Sequence, residues 1–166
     1  MRALRSLVSL AADPRGAGLE VDVKRIARSG ELRIGVWTAP PVHEPTLLAD
    51  RAAVEWELIP LGARWTQIDR AAGEARIVHW LRTNLAYPKS AAQMDAETAA
   101  GFAAQLFALV GSGAPLTVLA NDPWDLEEAG SSKSVSIGGF IFDGALAVVA
   151  AGEPARVGLL WIGVED

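Results

Sequence analysis

The stretch Asp122-Pro123-Trp124-Asp125-Leu126-Glu127-Glu128 sets four carboxylates within seven positions around one tryptophan. Carboxylates held in different environments titrate apart and can divide general acid and general base work between them. They can also hold a hard cation, but this spacing lacks the alternate-residue ligands and central glycine of a calcium loop. An acidic, aromatic patch can instead dock a basic protein, because tryptophan anchors binding hot spots and carboxylates steer the partner towards it. The residue types favour this third use. Asp122, Trp124, Asp125, Glu127 and Glu128 are therefore the expected partner-binding residues. The plain alternative is a solvated acidic loop.

Other residues capable of chemistry are sparse. His43 and His79 are the only histidines, and no G-x-S-x-G elbow exists to pair with either. Gly111-Ser112-Gly113 reads as a helix stop. His43-Glu44 lacks the second histidine four positions on that a zinc-protease motif requires. His79 lies close to Arg76 and Arg82, whose charges oppose a metal ion, so it reads as part of a polar helix face. The chain has no cysteine, which removes disulfides, thiolate nucleophiles, iron–sulfur clusters and thiolate-bound zinc. Gly16-Ala17-Gly18 and Gly138-Gly139 lack the spacing of a phosphate-binding loop. The expectation is a protein with no catalytic set, no metal and no cofactor. A small enzyme using carboxylate or His79 acid–base chemistry and a structural homo-oligomeric subunit remain as alternatives.

The charge balance points the same way. Fifteen basic residues against twenty acidic ones leave a net charge of −5 over 166 residues. Nucleic-acid binders carry a basic stripe, whereas the longest basic cluster here is Lys24, Arg25 and Arg28. Nucleic acid is therefore not an expected partner. Nor is a membrane, since no stretch approaches the roughly 20 apolar residues of a span. Arg2 and Arg5 precede the apolar run 7–12, but Ser9 interrupts it and Asp13-Pro14 replaces a cleavage site. Leu4, Leu7, Val8 and Ala11 instead suit one face of a short amphipathic helix, and a cytoplasmic location follows as an expectation. The arginine-rich, lysine-poor balance suits translation from the GC-rich DNA of many bacteria.

Hydrophobic residues make up 51% of the chain, enough for a sizeable core, and no repeat or linker divides residues 1–166. Leu19, Val21 and Val23 alternate with charged residues, and Leu32, Ile34 and Val36 alternate again, which predicts a hairpin broken at Ser29-Gly30. Pro40, Pro41 and Pro45 mark a loop, and Val54, Trp56 and Leu58 predict another strand. Thr66 and Asp69 resemble a capping box ahead of a helix through Ala71, Ala75, Val78, Leu81 and Leu85, ending at Tyr87-Pro88. Asp95 caps a second helix striped by Ala99, Phe102, Leu106 and Leu109, apolar enough to be largely buried. Strands then return at 116–119, 135–142, 145–150 and 157–164, with turns at Asp143-Gly144 and Gly152-Glu153-Pro154. The predicted fold is α+β: a mostly antiparallel sheet carrying two central helices and a short N-terminal helix. Trp56 and Trp161 are assigned to the core and Trp80 to a half-buried face. Trp37 and Trp65 stand at element ends, where exposure is conceivable but core packing is favoured.

Phe142-Asp143-Gly144 and the terminal run Gly158-Leu159-Leu160-Trp161-Ile162-Gly163-Val164-Glu165-Asp166 carry a resemblance, together with Ile68-Asp69-Arg70-Ala71 and Leu85-Ala86-Tyr87-Pro88. In style the chain resembles small bacterial immunity proteins that neutralise polymorphic or secretion-system toxins. The resemblance implies a single-domain, acidic, cytoplasmic, non-catalytic protein that binds a cognate toxin or another basic protein. It carries over no family site and no oligomeric state.

Overall fold

Asp13-Pro14 opens the first helix of the computed structural model, which describes residues 8–26, 31–83, 91–111, 115–121, 136–139 and 142–164. Along the chain run β1 (Ala11–Ala12), α1 (Pro14–Lys24), β2 (Glu31–Ala39), α2 (Pro45–Glu55), a 3₁₀ turn (Gly62–Arg64) and β3 (Thr66–Ile68). Then follow α3 (Arg70–Arg82), α4 (Ala96–Val110), β4 (Leu116–Ala120), β5 (Phe142–Ala150) and β6 (Ala155–Val164). The six strands form one sheet in the order β1-β2-β6-β5-β4-β3, antiparallel at every pairing. The α+β class is as the sequence predicts. None of the described helices is long and apolar enough to cross a membrane.

Helices cover both faces of the sheet. On one face α1, α3 and α4 bury Leu19, Val23, Ile77, Trp80, Leu106 and Phe107 against Ile34, Val118, Leu146, Val148 and Leu160. On the other, α2 and the stretch after it bury Leu48, Ala52, Leu58, Leu61 and Trp65 against Ala147, Val149, Val157, Leu159 and Trp161. Double coverage explains why β5 and β6 read as continuous apolar runs instead of alternating ones.

Several local expectations fail for identifiable reasons. Residues 19–24 are the end of α1, not a strand. Six residues fit either period, and the deciding features are the Asp13 cap, Pro14 at the first helical position and the Leu19–Val23 pair buried one turn apart. Val54, Trp56 and Leu58 are likewise not a strand. Pro45 starts α2, whose buried stripe Leu48-Ala49, Ala52-Ala53 has helical spacing. Ala11 pairs with Thr38 in β1 instead of lying on an N-terminal helix, while Leu4 and Leu7 fall outside the described residues. Asp69 itself caps α3, accepting the Ala72 N–H at 2.7 Å, and Thr66 belongs to β3. The helix stops at Arg82, because Thr83 is extended; Leu85, Tyr87 and Pro88 lie outside the described residues. Asp143-Gly144 is no turn but part of β5, paired with Gly163 and Ile162. Its glycine has a packing reason: a Cβ there would lie 2.8 Å from ring carbons of Trp80.

Other expectations hold. Asp95 caps α4 through the Thr98 N–H at 2.8 Å, and a turn spanning Gly152-Glu153-Pro154 joins β5 to β6. The burial of α4 is one-sided, however: Ala99, Ala103, Leu106, Phe107 and Val110 are buried, while Ala100, Gly101, Ala104 and Ala108 are exposed. Trp80 is fully buried rather than half-buried, and Trp37, Trp65 and Trp161 are buried too. Trp56 is half-buried and meets the Trp37 ring edge-on, 5.3 Å between centroids.

α2 ends in a Schellman motif, with Leu58 N–H donating to Ala53 and Glu57 N–H donating to Val54. Glu57 occupies its left-handed position at φ 63°, which a side chain adopts at a cost of about 1 kcal/mol. Relief of that strain less the extra entropy glycine loses on folding means that Glu57→Gly should raise stability by up to about 0.5 kcal/mol in urea titrations. Ahead of α1, hydrogen bonds from Arg15 hold the Asp13 carboxyl at about 2 against an ordinary 3.8, with burial pushing the other way. A carboxyl lowered in the folded state stabilises the fold above its unfolded value and loses that contribution as pH falls through its folded value. The stability advantage of the native chain over Asp13→Asn should accordingly be constant above about pH 4 and shrink between pH 4 and 2, as followed by urea unfolding at each pH.

Candidate functional site

Asp122, Trp124, Asp125, Glu127 and Glu128 lie outside the described residues, whereas the flanking Asn121 and Ser136 are described. β4 ends at Ala120, and Asn121 carries its pairing one residue further. The Asn121 N–H donates to the Ala145 carbonyl at 3.1 Å, and its side-chain oxygen accepts the Ala145 N–H at 3.0 Å. The amide nitrogen of the same side chain reaches the Asp143 carbonyl at 3.5 Å. On the return side, Asp143 Oδ2 accepts from Ser136 Oγ at 3.0 Å, from Ile137 N–H at 3.0 Å and from Gly138 N–H at 2.6 Å. The described residues on either side of 122–135, Asn121 and Ser136, thus both bond to one residue, Asp143.

That anchor is built into the core. Asn121 is 2% and Asp143 8% exposed. Ile137 is fully buried, and its carbonyl accepts the Ile59 N–H at 2.8 Å. Gly138 lies against the Trp161 indole, where a Cβ would come within 2.5 Å of a ring carbon. Ser136 to Gly139 form a bend ahead of β5 and not the strand the sequence predicts over 135–142, while Val135 and Phe140 fall outside the described residues. One oxygen of the clamp, Asp143 Oδ1, is buried without a hydrogen-bond partner among the described residues. An unsatisfied buried acceptor costs about 1–3 kcal/mol, so the three donors on Oδ2 have to outweigh it.

The histidines are placed differently. His79 is half-buried on α3, and burial, assisted by the Arg82 charge, lowers its pKa and favours the neutral imidazole. His43 is exposed in the stretch before α2. Among the described residues, no three histidine or carboxylate side chains converge tightly enough to hold a metal ion. A wide cleft of about 460 Å³ is lined by Ser9, Thr38, Pro40, Pro41, Glu153 and Pro154. It contains neither histidine. It flanks the β5–β6 turn, at the end of the sheet opposite Asp143.

Two charged residues on α2 were not legible as special. Asp50 is buried and accepts the Leu61 N–H at 2.8 Å, the Trp65 indole N–H at 2.7 Å and the Gly62 N–H at 3.0 Å. Arg51, also buried, donates to the Val8 carbonyl at 2.8 Å and pairs with Glu55. Asp50 and Arg51 pin the chain on either side of α2 onto it. Apart from Glu55, one turn on from Arg51, their partners lie 11 to 43 positions away, so no local spacing announces them.

Asp143→Ala removes the acceptor of three donors. It should lower stability by about 2–4 kcal/mol and accelerate hydrogen exchange at the Ile137 and Gly138 amides well beyond that of β5 and β6. Asp143→Asn, which keeps one oxygen acceptor, should lose less. Equal exchange in all three proteins would disprove the anchor.

Family models, curated proteins and solved structures were each compared with this chain, and none matches it.

Proposed function

We propose that this chain is a non-catalytic binding protein, an immunity protein that neutralises a cognate bacterial toxin by covering the toxin with an acidic surface. The observation that carries the reading is the pairing of an acidic, tryptophan-centred run with the Asp143 anchor at its base. Toxins acting on nucleic acid need basic clefts, and an acidic inhibitor carrying an aromatic anchor complements such a cleft in charge and in apolar contact. In this reading Trp124 fills a pocket, Asp122, Asp125, Glu127 and Glu128 meet cationic side chains, and the net charge of −5 speeds encounter. The anchor at Asp143 reduces the ordering entropy the segment loses on binding. The protein then works in the cytoplasm beside its toxin, without a nucleic-acid or membrane partner of its own.

Affinity capture from the native host, followed by co-expression of the captured protein, tests the reading directly. The captured protein should be toxic alone and harmless beside this chain. Asp125→Lys with Glu128→Lys should slow association roughly tenfold or more at low salt, with the rates converging as salt screens the charges. Association unchanged at low salt would remove the acidic run from the interface. Absence of protection would remove the immunity reading itself.

A further inference from the structure

β1 is the outermost strand of the sheet, and its free side is uncovered. It pairs with β2 through Ala11–Thr38 and Ala12–Trp37, and the Asp13 N–H continues the ladder to the Val36 carbonyl at 2.7 Å. Along an antiparallel strand, alternate residues direct their N–H and C=O to opposite sides. Ala11 and Asp13 face β2, so the peptide groups of Leu10 and Ala12 face away from the sheet. Among the described residues none of those four groups has a hydrogen-bond partner. Ser9, Ala11 and Ala12 are exposed. α1 does not close this side, because it runs from Val36 towards Ile34. A Cβ on Gly16 would lie 2.6 Å from the Val36 nitrogen, and one turn on, Glu20 Oε2 accepts the Ile34 N–H at 2.7 Å.

The cleft of about 460 Å³ begins at the same strand. Ser9 and Ala11 line it beside Thr38, the residue opposite Ala11, and Pro40, Pro41, Glu153 and Pro154 line the rest. The prolines carry no N–H, and the Thr38 hydroxyl donates to the Ala11 carbonyl at 3.5 Å, so these groups are left as acceptors. Among the described lining residues the one charge is the exposed Glu153 carboxylate. Two cations at this end are engaged elsewhere: Arg156 donates to the Leu109 carbonyl at 3.2 Å, and Arg15 pairs with Asp13 at 2.6 Å. Such a lining suits a side chain with an alkyl stem, to pack on proline rings, and a cationic, donor-only head.

We propose that β1 and this cleft together dock an extended basic segment of a partner protein, whose backbone adds a strand to β1 while a lysine or arginine side chain enters the cleft. The added strand bonds the outward groups of Leu10 and Ala12. Its residue opposite Ala11 directs its side chain to the face that Ala11 shares with Thr38, because directly opposed residues lie on one face. Two strand spacings, about 9.6 Å, separate the incoming strand from β2. Only a long side chain passes over the Ala11 methyl to Thr38 and the cleft beyond. A ladder of two residues is too short to hold a partner by itself, so the cationic side chain supplies both affinity and selectivity. This site is independent of the acidic run, since the cleft lies at the end of the sheet opposite Asp143.

Amide NMR of the full chain, titrated with an end-blocked Thr-Val-Lys-Val-Thr peptide, tests this. The Leu10, Ala11, Ala12 and Thr38 signals should shift to saturation, and a Thr-Val-Glu-Val-Thr peptide should bind roughly tenfold more weakly or worse. N-methylation of both valines removes the donors that face the Leu10 and Ala12 carbonyls and should abolish the shifts. Glu153→Gln, a change in an exposed turn, should weaken the lysine peptide by roughly threefold. Absence of shifts at β1 with the lysine peptide at millimolar concentration overturns the site, as does equal binding of the glutamate or the N-methylated peptide. Shifts at Leu10 and Ala12 on concentrating the protein alone would give the edge to a second copy of the chain and overturn the basic partner.

Discussion

The β5–β6 hairpin is shut off from water on both faces, and most of the architecture follows from that. Residues Ala145 to Ala150 and Val157 to Ile162 are buried, so their peptide groups can be satisfied only within the sheet. The register therefore has to be continuous: β5 pairs with β6 from Phe142 to Ala150, β2 with β6 over its full length, and β4 with β5 up to Ala120. Close coverage then depends on where side chains are absent. Gly144 admits the Trp80 indole from α3, and Gly158 admits Val110 and Leu106 from α4, each at distances a Cβ would occupy. The glycines in these strands are thus sites of helix approach, which is why Asp143-Gly144 imitates a turn in sequence and is none in space.

A sheet buried in its middle moves its unsatisfied groups to its edges, and the two edges are managed differently. β3 is only three residues long and offers little ladder beyond β4. β2 is nine residues long and cannot be left bare, so it is closed piecemeal by β1, the first turn of α1 and one carboxylate. α1 thereby has two jobs. Leu19 and Val23 seal the core, while Glu20 and Lys24, pointing elsewhere on the same helix, protect the edge. This double duty puts charged residues between the apolar ones and produces the alternation that reads as a strand.

The same physics determines what was legible in the sequence. α3 and α4 could be read because Asp69 and Asp95 are local caps followed by long helical stripes, and β4 and the β5–β6 turn because their signals lie within a few residues. α1 and α2 were lost because short windows such as Leu19-Val21-Val23 and Val54-Trp56-Leu58 satisfy the strand period while the helix start lies outside them, at Pro14 and Pro45. The candidate site was legible only as composition. An acidic run around Trp124 is visible in sequence; the anchor at its base is not, because Asn121, Ser136 and Asp143 come together only when β4 and β5 pair. Asp50 was hidden for the same reason, since its partners lie beyond the end of its helix.

The chemistry of that anchor bears on how an acidic segment can be held without being consumed. A clamp made of lysine or arginine would draw the carboxylates of the segment onto itself and neutralise them. Asp143 does the opposite: it is an acceptor, and it binds a hydroxyl and two backbone N–H groups of Ser136, Ile137 and Gly138, beyond the acidic run. Asn121 secures the other end with a neutral amide bonded to the Asp143 and Ala145 backbone. Both ends are thus fixed by groups that do not attract Asp122, Asp125, Glu127 or Glu128. For the acidic surface proposed above, an anchor of this kind would leave the charges of the surface unneutralised, the condition for attracting a basic partner at a distance.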